Sequence, residues 1–247
     1  LGREGRRSTA YGVAARGYIK SHRSDDEWIS SHLELRGEKN ELLSGYGWVF
    51  PLGDGEVNVG VGTLATVKRP ADVNLRNLLT FYADQQRETW EFEGDIRAPW
   101  SALLPMGGAV SNVAGANWVL IGDAAGCVNP LNGEGIDYGL ETGHLAAKLF
   151  ARTPANARMD FTTVWPQTLV EHYGTAFSIA RRLAGLITVP KLLPTFGPIG
   201  MRSQFLMSIA LRVMGNLITP EDKDPTARLW HFAGKRSIAL DERPPFS

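Results

Sequence analysis

The sequence predicts a mixed α/β (α+β) chain: an antiparallel sheet carrying a helix, then a strand–loop–helix unit, then a helical tail. Three observations predict it. Gly53-Asp54-Gly55 separates two β-prone runs, Gly45–Leu52 and Glu56–Gly62, which is the pattern of a hairpin. The apolar run Trp118–Ile121 leads into a loop rich in Gly, Pro and Asn, and a helical pattern follows from Ile136 to Phe150. From Phe161 to Asn216 helical spacing dominates, interrupted by Pro190, Pro194 and Pro198. The expected division is 1–116 for the sheet and its helix, 117–151 for the strand–loop–helix, and 152–247 for the helical region.

Within the first part, Gly12–Lys20 and Trp28–Arg36 are further β-prone runs. Val57, Val59 and Val61 alternate with Asn58 and Gly60, the period of a strand with one buried face. Asn74–Arg87 has helical spacing, with Leu75, Leu78, Leu79 and Tyr82 on one side and Arg76, Asp84 and Arg87 free to face water. Ile96–Leu104 closes the sheet before Pro105-Met106-Gly107-Gly108. In the second part Trp118–Ile121 is expected as a buried strand, and Leu140, Gly143, His144, Ala147 and Leu149 as the packing face of the helix.

Composition narrows the function classes. The 247 residues are 43% hydrophobic and 21% charged, the balance of a chain with a packed core. A formal net charge of zero supplies no field to attract nucleic acid. Cys127 is the single cysteine, so no internal disulfide forms, and a reducing compartment is expected. There is no CxxC, HExxH or P-loop pattern, so neither a metal nor a nucleoside triphosphate is expected. The start, Leu1-Gly2-Arg3-Glu4-Gly5-Arg6-Arg7, has no apolar run after its basic residues and is expected to be a loop inside a longer protein.

The stretch that carries chemistry is Gly122-Asp123-Ala124-Ala125-Gly126-Cys127-Val128-Asn129-Pro130-Leu131-Asn132-Gly133-Glu134-Gly135-Ile136. A Gly-Asp pair after a strand sets a carboxylate where open α/β sheets bind ligands, ready to accept from a polyol hydroxyl. Gly122, Ala124 and Ala125 let a ligand approach the backbone, Pro130 shapes the loop, and Gly133 and Gly135 permit tight geometry beside a planar ring. The helix from Ile136 is expected to aim unpaired backbone N–H groups into the loop and so to stabilise negative charge there. Tyr46, Trp48 and Phe50 alternate along one strand, which puts three aromatics on one face.

These two segments resemble one flavoprotein class. Gly122–Ile136 is similar to the second FAD-binding motif of the class that includes aromatic hydroxylases and geranylgeranyl reductases. Within it, GDAAG followed by Asn129-Pro130 and Gly133-Glu134-Gly135-Ile136 looks like the reductases, because the hydroxylases usually carry His and Asn where Gly126 and Asp137 stand. Tyr46-Gly47-Trp48-Val49-Phe50-Pro51 fits the reductases' Y-x-W-x-F-P pattern, with Val59-Gly60-Val61-Gly62 on the next strand. The resemblance runs from about Ser8 to Asn216. The family's GxGxxG strand–turn–helix has no counterpart in these residues, so the chain matches the C-terminal part of a two-domain FAD-binding fold, and binding of FAD by this polypeptide alone is in question.

The resemblance implies an FAD-dependent oxidoreductase acting on CH–CH bonds. Its substrate would be a prenyl lipid, such as a geranylgeranyl group or a menaquinone side chain. Asp123 would hold the flavin ribityl chain, and the loop from Pro130 to Ile136 would lie along the isoalloxazine ring. Tyr46, Trp48, Phe50 and Pro51 would wall the substrate. An isolated alkene has no carbonyl to polarise, so hydride transfer from flavin needs a nearby acid, and Tyr46 and Cys127 are the candidates. His144 is expected at the surface or in packing.

A long isoprenoid is insoluble, so a peripheral position on the inner, cytoplasmic face of a membrane is expected. Between Glu171 and Glu221 there is no acidic residue, while Arg181, Arg182, Lys191, Arg202 and Arg212 are basic, which suits anionic headgroups. No apolar run reaches the roughly 20 residues of a spanning helix. Two alternatives stand beside this: a flavin monooxygenase hydroxylating a quinone or aromatic precursor, and an inactive, truncated remnant. The electron donor is not legible.

Overall fold

The computed structural model describes residues 4–5, 10–152, 160–189, 192, 195, 197, 200 and 202–247. Pro190, Lys191, Pro194 and Pro198, and Leu1–Arg3 with Arg6 and Arg7, lie outside the described residues. The chain forms two compact units, one of residues 12–103 and 187–194, the other of residues 1–11, 104–186 and 195–247. The strand–loop–helix and the helical region thus share one unit.

The first unit is a five-stranded sheet with a helix. In chain order its strands are β2 (Tyr11–Ser21), β3 (Ser30–His32), β4 (Gly45–Pro51), β5 (Glu56–Ala65) and β6 (Phe92–Leu104), after a two-residue β1 (Glu4–Gly5) that belongs to the other unit. The sheet order is β3-β4-β5-β2-β6. β4 and β5 pair antiparallel as the hairpin expected around Gly53–Gly55, with Val49 opposite Val59 and Trp48 opposite Gly60. Val49, Val57, Val59 and Val61 are fully buried on one face, where α1 (Leu75–Gln86) lays Leu78, Leu79 and Tyr82. Asn74 caps α1 by accepting from the N–H groups of Arg76 and Asn77, which fixes its start. Gly47 is needed beneath Tyr82, since a Cβ there would lie 2.3 Å from the phenol ring.

The run Trp28–Arg36 falls short of its expected length. Only Ser30–His32 pairs with β4, and Trp28 and Ile29 stay exposed because β3 is an edge strand with nothing beyond it among the described residues.

The second unit holds β7 (Val110–Ser111), paired with β1, and the helices α2 (Ile136–Ala151), α3 (Phe161–Leu169), α4 (Thr175–Ile187), α5 (Gln204–Met214) and α6 (Pro225–Ala239). A one-turn π-helix, Val170–Gly174, joins α3 to α4, and Pro166 sits inside α3. The core is aromatic: Trp165, Tyr138, Tyr173, Phe177 and Phe246 pack together with Cys127 and Ala125.

Two expectations are corrected here. Trp118–Ile121 is not a buried strand. Its partners are Val113 and Gly115, through a single bridge of Val119 to Ala114, and Ile121 is exposed. A parallel strand needs neighbours on both edges, and the described residues provide one short partner. In α2 the buried stripe is Tyr138, Thr142 and Ala146, whereas Leu140, His144 and Ala147 face outward. Tyr138 sets that phase by packing edge-on against Tyr173 and tilted against Phe177.

Candidate functional site

The glycine-rich segment folds as a short 3₁₀ turn, Gly122–Ala125, followed by a closed loop that delivers the chain to α2. Each glycine has a task. Gly122 lies at φ +53, and a Cβ on it would come 3.3 Å from the Gly139 Cα, so the turn crosses α2 where both chains lack side chains. Gly126 ends the turn in the left-handed region, at φ +70. Gly135 leaves room for the carboxylate of Asp123, whose Oδ1 would be 2.6 Å from a Cβ there.

Hydrogen bonds lock this frame. The Gly122 N–H donates to Thr142 Oγ1 at 2.9 Å, which ties the turn to α2. Asn129 organises the loop. Its backbone N–H donates to the Glu134 carbonyl, its carbonyl accepts from Gly133, its Oδ1 accepts from Leu131, and its Nδ2 donates to the Met214 carbonyl at 2.7 Å. A second loop braces the first, because Gly107 N–H donates to the Val128 carbonyl and Gly108 N–H to the Gly126 carbonyl. Phe246 completes the brace by donating its N–H to the Gly108 carbonyl.

The surface this frame presents is narrow. Gly122, Ala125 and Pro130 are buried and act as scaffold, whereas Asp123, Ala124 and Ile136 are exposed and Gly133, Glu134 and Gly135 are half-buried. The Asp123 carboxylate accepts no hydrogen bond from the described residues, and it stands above Gly135 beside the small Ala124. An exposed, unused acceptor beside two positions without bulk fits a polyol chain, so the residues present fit the ribityl part of FAD.

The start of α2 differs from expectation. Its first N–H groups are already engaged: Glu134 Oε1 accepts from Ile136 at 2.8 Å and from Asp137 at 3.1 Å, and Tyr138 donates to Asp137 Oδ1. A carboxylate just before a helix satisfies the donors that a ligand would otherwise use. Burial, then the hydrogen-bonded Asp137 carboxyl beside it, pushes the Glu134 carboxyl up to about 7. The start of α2 therefore presents a carboxyl with a raised pKa where free backbone donors were expected.

Of the two acid candidates, Cys127 is fully buried in the aromatic core, and burial together with the negative charges of Asp123 and Glu141 pushes its thiol up. Cys127 thus lies among core side chains, and Tyr46 is the other candidate. Tyr46, Trp48 and Phe50 lie in a row on the face of β4 opposite the valine core, with ring centroids 5.7 and 6.1 Å apart. All three are half-buried. Trp48 lies flat over Gly60, where a Cβ would be 2.1 Å from its ring, and its Nε1–H donates to Asn58 Oδ1 at 2.9 Å. This explains why Val59-Gly60-Val61-Gly62 accompanies the aromatic motif. Pro51, half-buried, ends the strand opposite Val57. The aromatic row belongs to the sheet unit and the glycine-rich loop to the other unit. Among the described residues no group of His, Cys, Asp or Glu is arranged to hold a metal, and no helix is long and apolar enough to cross a membrane.

Among solved structures, a geranylgeranyl bacteriochlorophyll reductase-like protein from Thermoplasma acidophilum superposes with a TM-score of 0.54 at 17% identity, covering 96% of this chain and 53% of that one. A flavin-dependent brominase gives 0.51 at 14% identity, covering 97% and 58%. The chain thus has the fold shared by these two proteins. No protein-family model matches the chain. A menaquinone reductase of Mycolicibacterium smegmatis is 61% identical over all 247 residues of this chain, which are 60% of that protein. A menaquinone reductase of Mycobacterium tuberculosis strain H37Rv is 60% identical over the same span, 59% of its length. A digeranylgeranylglycerophospholipid reductase of Methanocella arvoryzae is 34% identical over 110 residues, 43% of this chain and 26% of the relative. The chain is thus similar to menaquinone reductases over its whole length and to a digeranylgeranylglycerophospholipid reductase over part of it. It spans about 60% of the length of the menaquinone reductases it matches.

Proposed function

We propose that this chain supplies the flavin loop and the substrate sheet of an FAD-dependent reductase that saturates a C=C bond in the isoprenoid side chain of a menaquinone or a related prenyl lipid. The observation that carries this reading is the row of Tyr46, Trp48 and Phe50, half-buried on the face opposite the sheet's valine core. Three half-buried aromatics in line on the face opposite the core suit an apolar chain laid along them.

When bound, FAD supplies the hydride for one alkene carbon. Asp123 accepts from a polyol hydroxyl and so fixes the cofactor chain. Ala124 and Gly135 keep that approach free of side chains, and Ile136 gives the exposed apolar contact at the start of α2. Tyr46 holds the proton for the second alkene carbon on its phenol oxygen. Trp48 and Phe50 exclude water and orient the chain, and Pro51 closes the row. The substrate is a membrane lipid, so the enzyme works peripherally at the inner, cytoplasmic face of the bilayer.

The test is titration of this polypeptide with FAD, read by flavin fluorescence, beside a longer protein that adds the upstream part of a menaquinone reductase. The expected result is tight binding by the longer protein and loss of that binding on Asp123→Ala. Absence of binding in both sinks the assignment of Gly122–Ile136 as a flavin loop. A menaquinone assay by mass spectrometry then follows two added hydrogens, and a longer protein that binds FAD but adds none would refute the reaction.

A further inference from the structure

The basic stretch between Glu171 and Glu221 is largely neutralised by carboxylates from further along the chain. Arg181 and Arg182 both pair with Asp241, at 2.7 and 2.8 Å, and Arg212 pairs with Asp224 at 2.9 Å and with Asp222 at 3.5 Å. Those arginines brace the helices and leave little charge for a surface. The unneutralised charge stands elsewhere, on α6 (Pro225–Ala239).

One face of α6 is fixed to the body of its unit. Ala227, Trp230, Gly234 and Ser237 are buried, Trp230 packs with Ile179, Leu183 and Val213, and Gly234 fits against Thr175. The opposite face is bare. Leu229 is 68% exposed, Phe232 63% and the following Leu240 74%. Around Phe232, three and four residues away, stand the exposed Arg228, Lys235 and Arg236, and Arg236 lies over the Phe232 ring. None of these three cations is ion-paired among the described residues. The helix contains no carboxylate. Asp224 and Asp241 at its ends are held by Arg212 and by Arg181 with Arg182, and the exposed Glu221 and Glu242 lie beyond it.

We propose that this face of α6 docks the protein on an anionic bilayer, with Leu229, Phe232 and Leu240 entering the headgroup boundary and Arg228, Lys235 and Arg236 meeting lipid phosphates. Apolar side chains interleaved with cations along one helix line suit a headgroup boundary, which is apolar beneath and negative above. The absence of any carboxylate on the helix gives the charge complementarity. The inference deepens the prenyl-lipid reading by naming the surface that would meet the substrate's membrane, but docking is read without turnover, so the two ideas fail separately.

The experiment is flotation of the full chain with vesicles of equimolar phosphatidylcholine and phosphatidylglycerol, against vesicles of phosphatidylcholine alone. Binding is expected only to the anionic vesicles. It should weaken sharply between about 0.1 and 1 M salt, as the Debye length falls from ~10 to ~3 Å. Replacing the cations together (Arg228→Gln, Lys235→Gln, Arg236→Gln) should weaken partitioning on the order of a hundredfold, at about fivefold per cation. Phe232→Ser should cost about tenfold or more. All four positions are exposed, so circular dichroism and thermal unfolding should match the parent, and Arg236→Gln alone serves if the triple variant misfolds. Failure of the parent chain to float with anionic vesicles overturns the proposal, and so does a triple variant that floats as the parent does. Self-association through this face without vesicle binding overturns it as well, and would identify a second copy as the occupant.

Discussion

Gly60→Ala tests whether the aromatic row is held by the bare strand beneath it. An added methyl at residue 60 would lie 2.1 Å from Trp48 Cζ2 and 2.2 Å from Cε2, well inside contact distance. The indole must lift, and its Nε1–H then loses Asn58 Oδ1. Overpacking of this kind costs about 1–3 kcal/mol and the lost hydrogen bond about 1 kcal/mol. Removing a strand glycine returns about 0.5–1 kcal/mol, because alanine loses less backbone freedom on folding. The net is a loss of roughly 1–3 kcal/mol, which lowers the melting temperature by roughly 2–10 °C for a protein of this size. Gly62→Ala is the control, since a Cβ there would stand 3.6 Å from the same ring, an ordinary contact. Thermal unfolding by circular dichroism, with near-ultraviolet bands following the indole, measures both. In a Trp48→Ala background the cost of Gly60→Ala should vanish, because the clash has lost its partner. An equal cost in both backgrounds, or equal costs at residues 60 and 62, would refute the reasoning.

Three further outcomes are expected. Asp123→Ala should weaken FAD binding by roughly 10- to 100-fold, the worth of a hydrogen bond to a charged acceptor, while leaving the melting temperature unchanged because the side chain is exposed; fluorescence titration and a melting curve measure the two parts. The Glu134 carboxyl rises from its ordinary 4.5 to about 7 on folding, so the folded protein binds the extra proton and stability should fall as pH rises across that window; denaturant midpoints against pH measure the slope, which Glu134→Gln should flatten, and because the group is only half-buried the loss is expected near 1 kcal/mol. Asp241→Asn should destabilise by about 3–5 kcal/mol in chemical denaturation, because it strands the buried Arg181 guanidinium, whereas Arg97→Gln, which breaks the exposed pair with Glu56, should change the midpoint little.

What was legible in the sequence was local. The β4–β5 hairpin and α1 announce themselves through Gly53–Gly55, alternating valines and Asn74, all within a few residues of the structure they specify. The glycine-rich loop was legible as a constellation, with Asp123 presented as an exposed acceptor beside the bare Gly135. What failed depended on distant partners. Trp118–Ile121 has the composition of a buried strand, but composition cannot supply the neighbours such a strand needs. The phase of α2 is set by Tyr173 and Phe177, about ten turns of helix further along the chain. The charge of Phe161–Asn216 was counted correctly but its neutralisation by Asp222, Asp224 and Asp241 is a tertiary fact. Glu134 left a signal that was readable, an acid two residues before a helix, and its capping role follows from it.

The brace between Gly108 and Phe246 has a consequence for how the protein is made. The loop that carries Gly107 and Gly108 is synthesised earlier, but the N–H and ring that hold it arrive only after every described helix of its unit has been synthesised. Closing so long a segment costs chain entropy that the contact alone does not repay, so the packing of α3, α4 and α6 must come first. The glycine-rich loop is then the last part of its unit to take shape, and a nascent chain stalled before Phe246 would leave it unbraced.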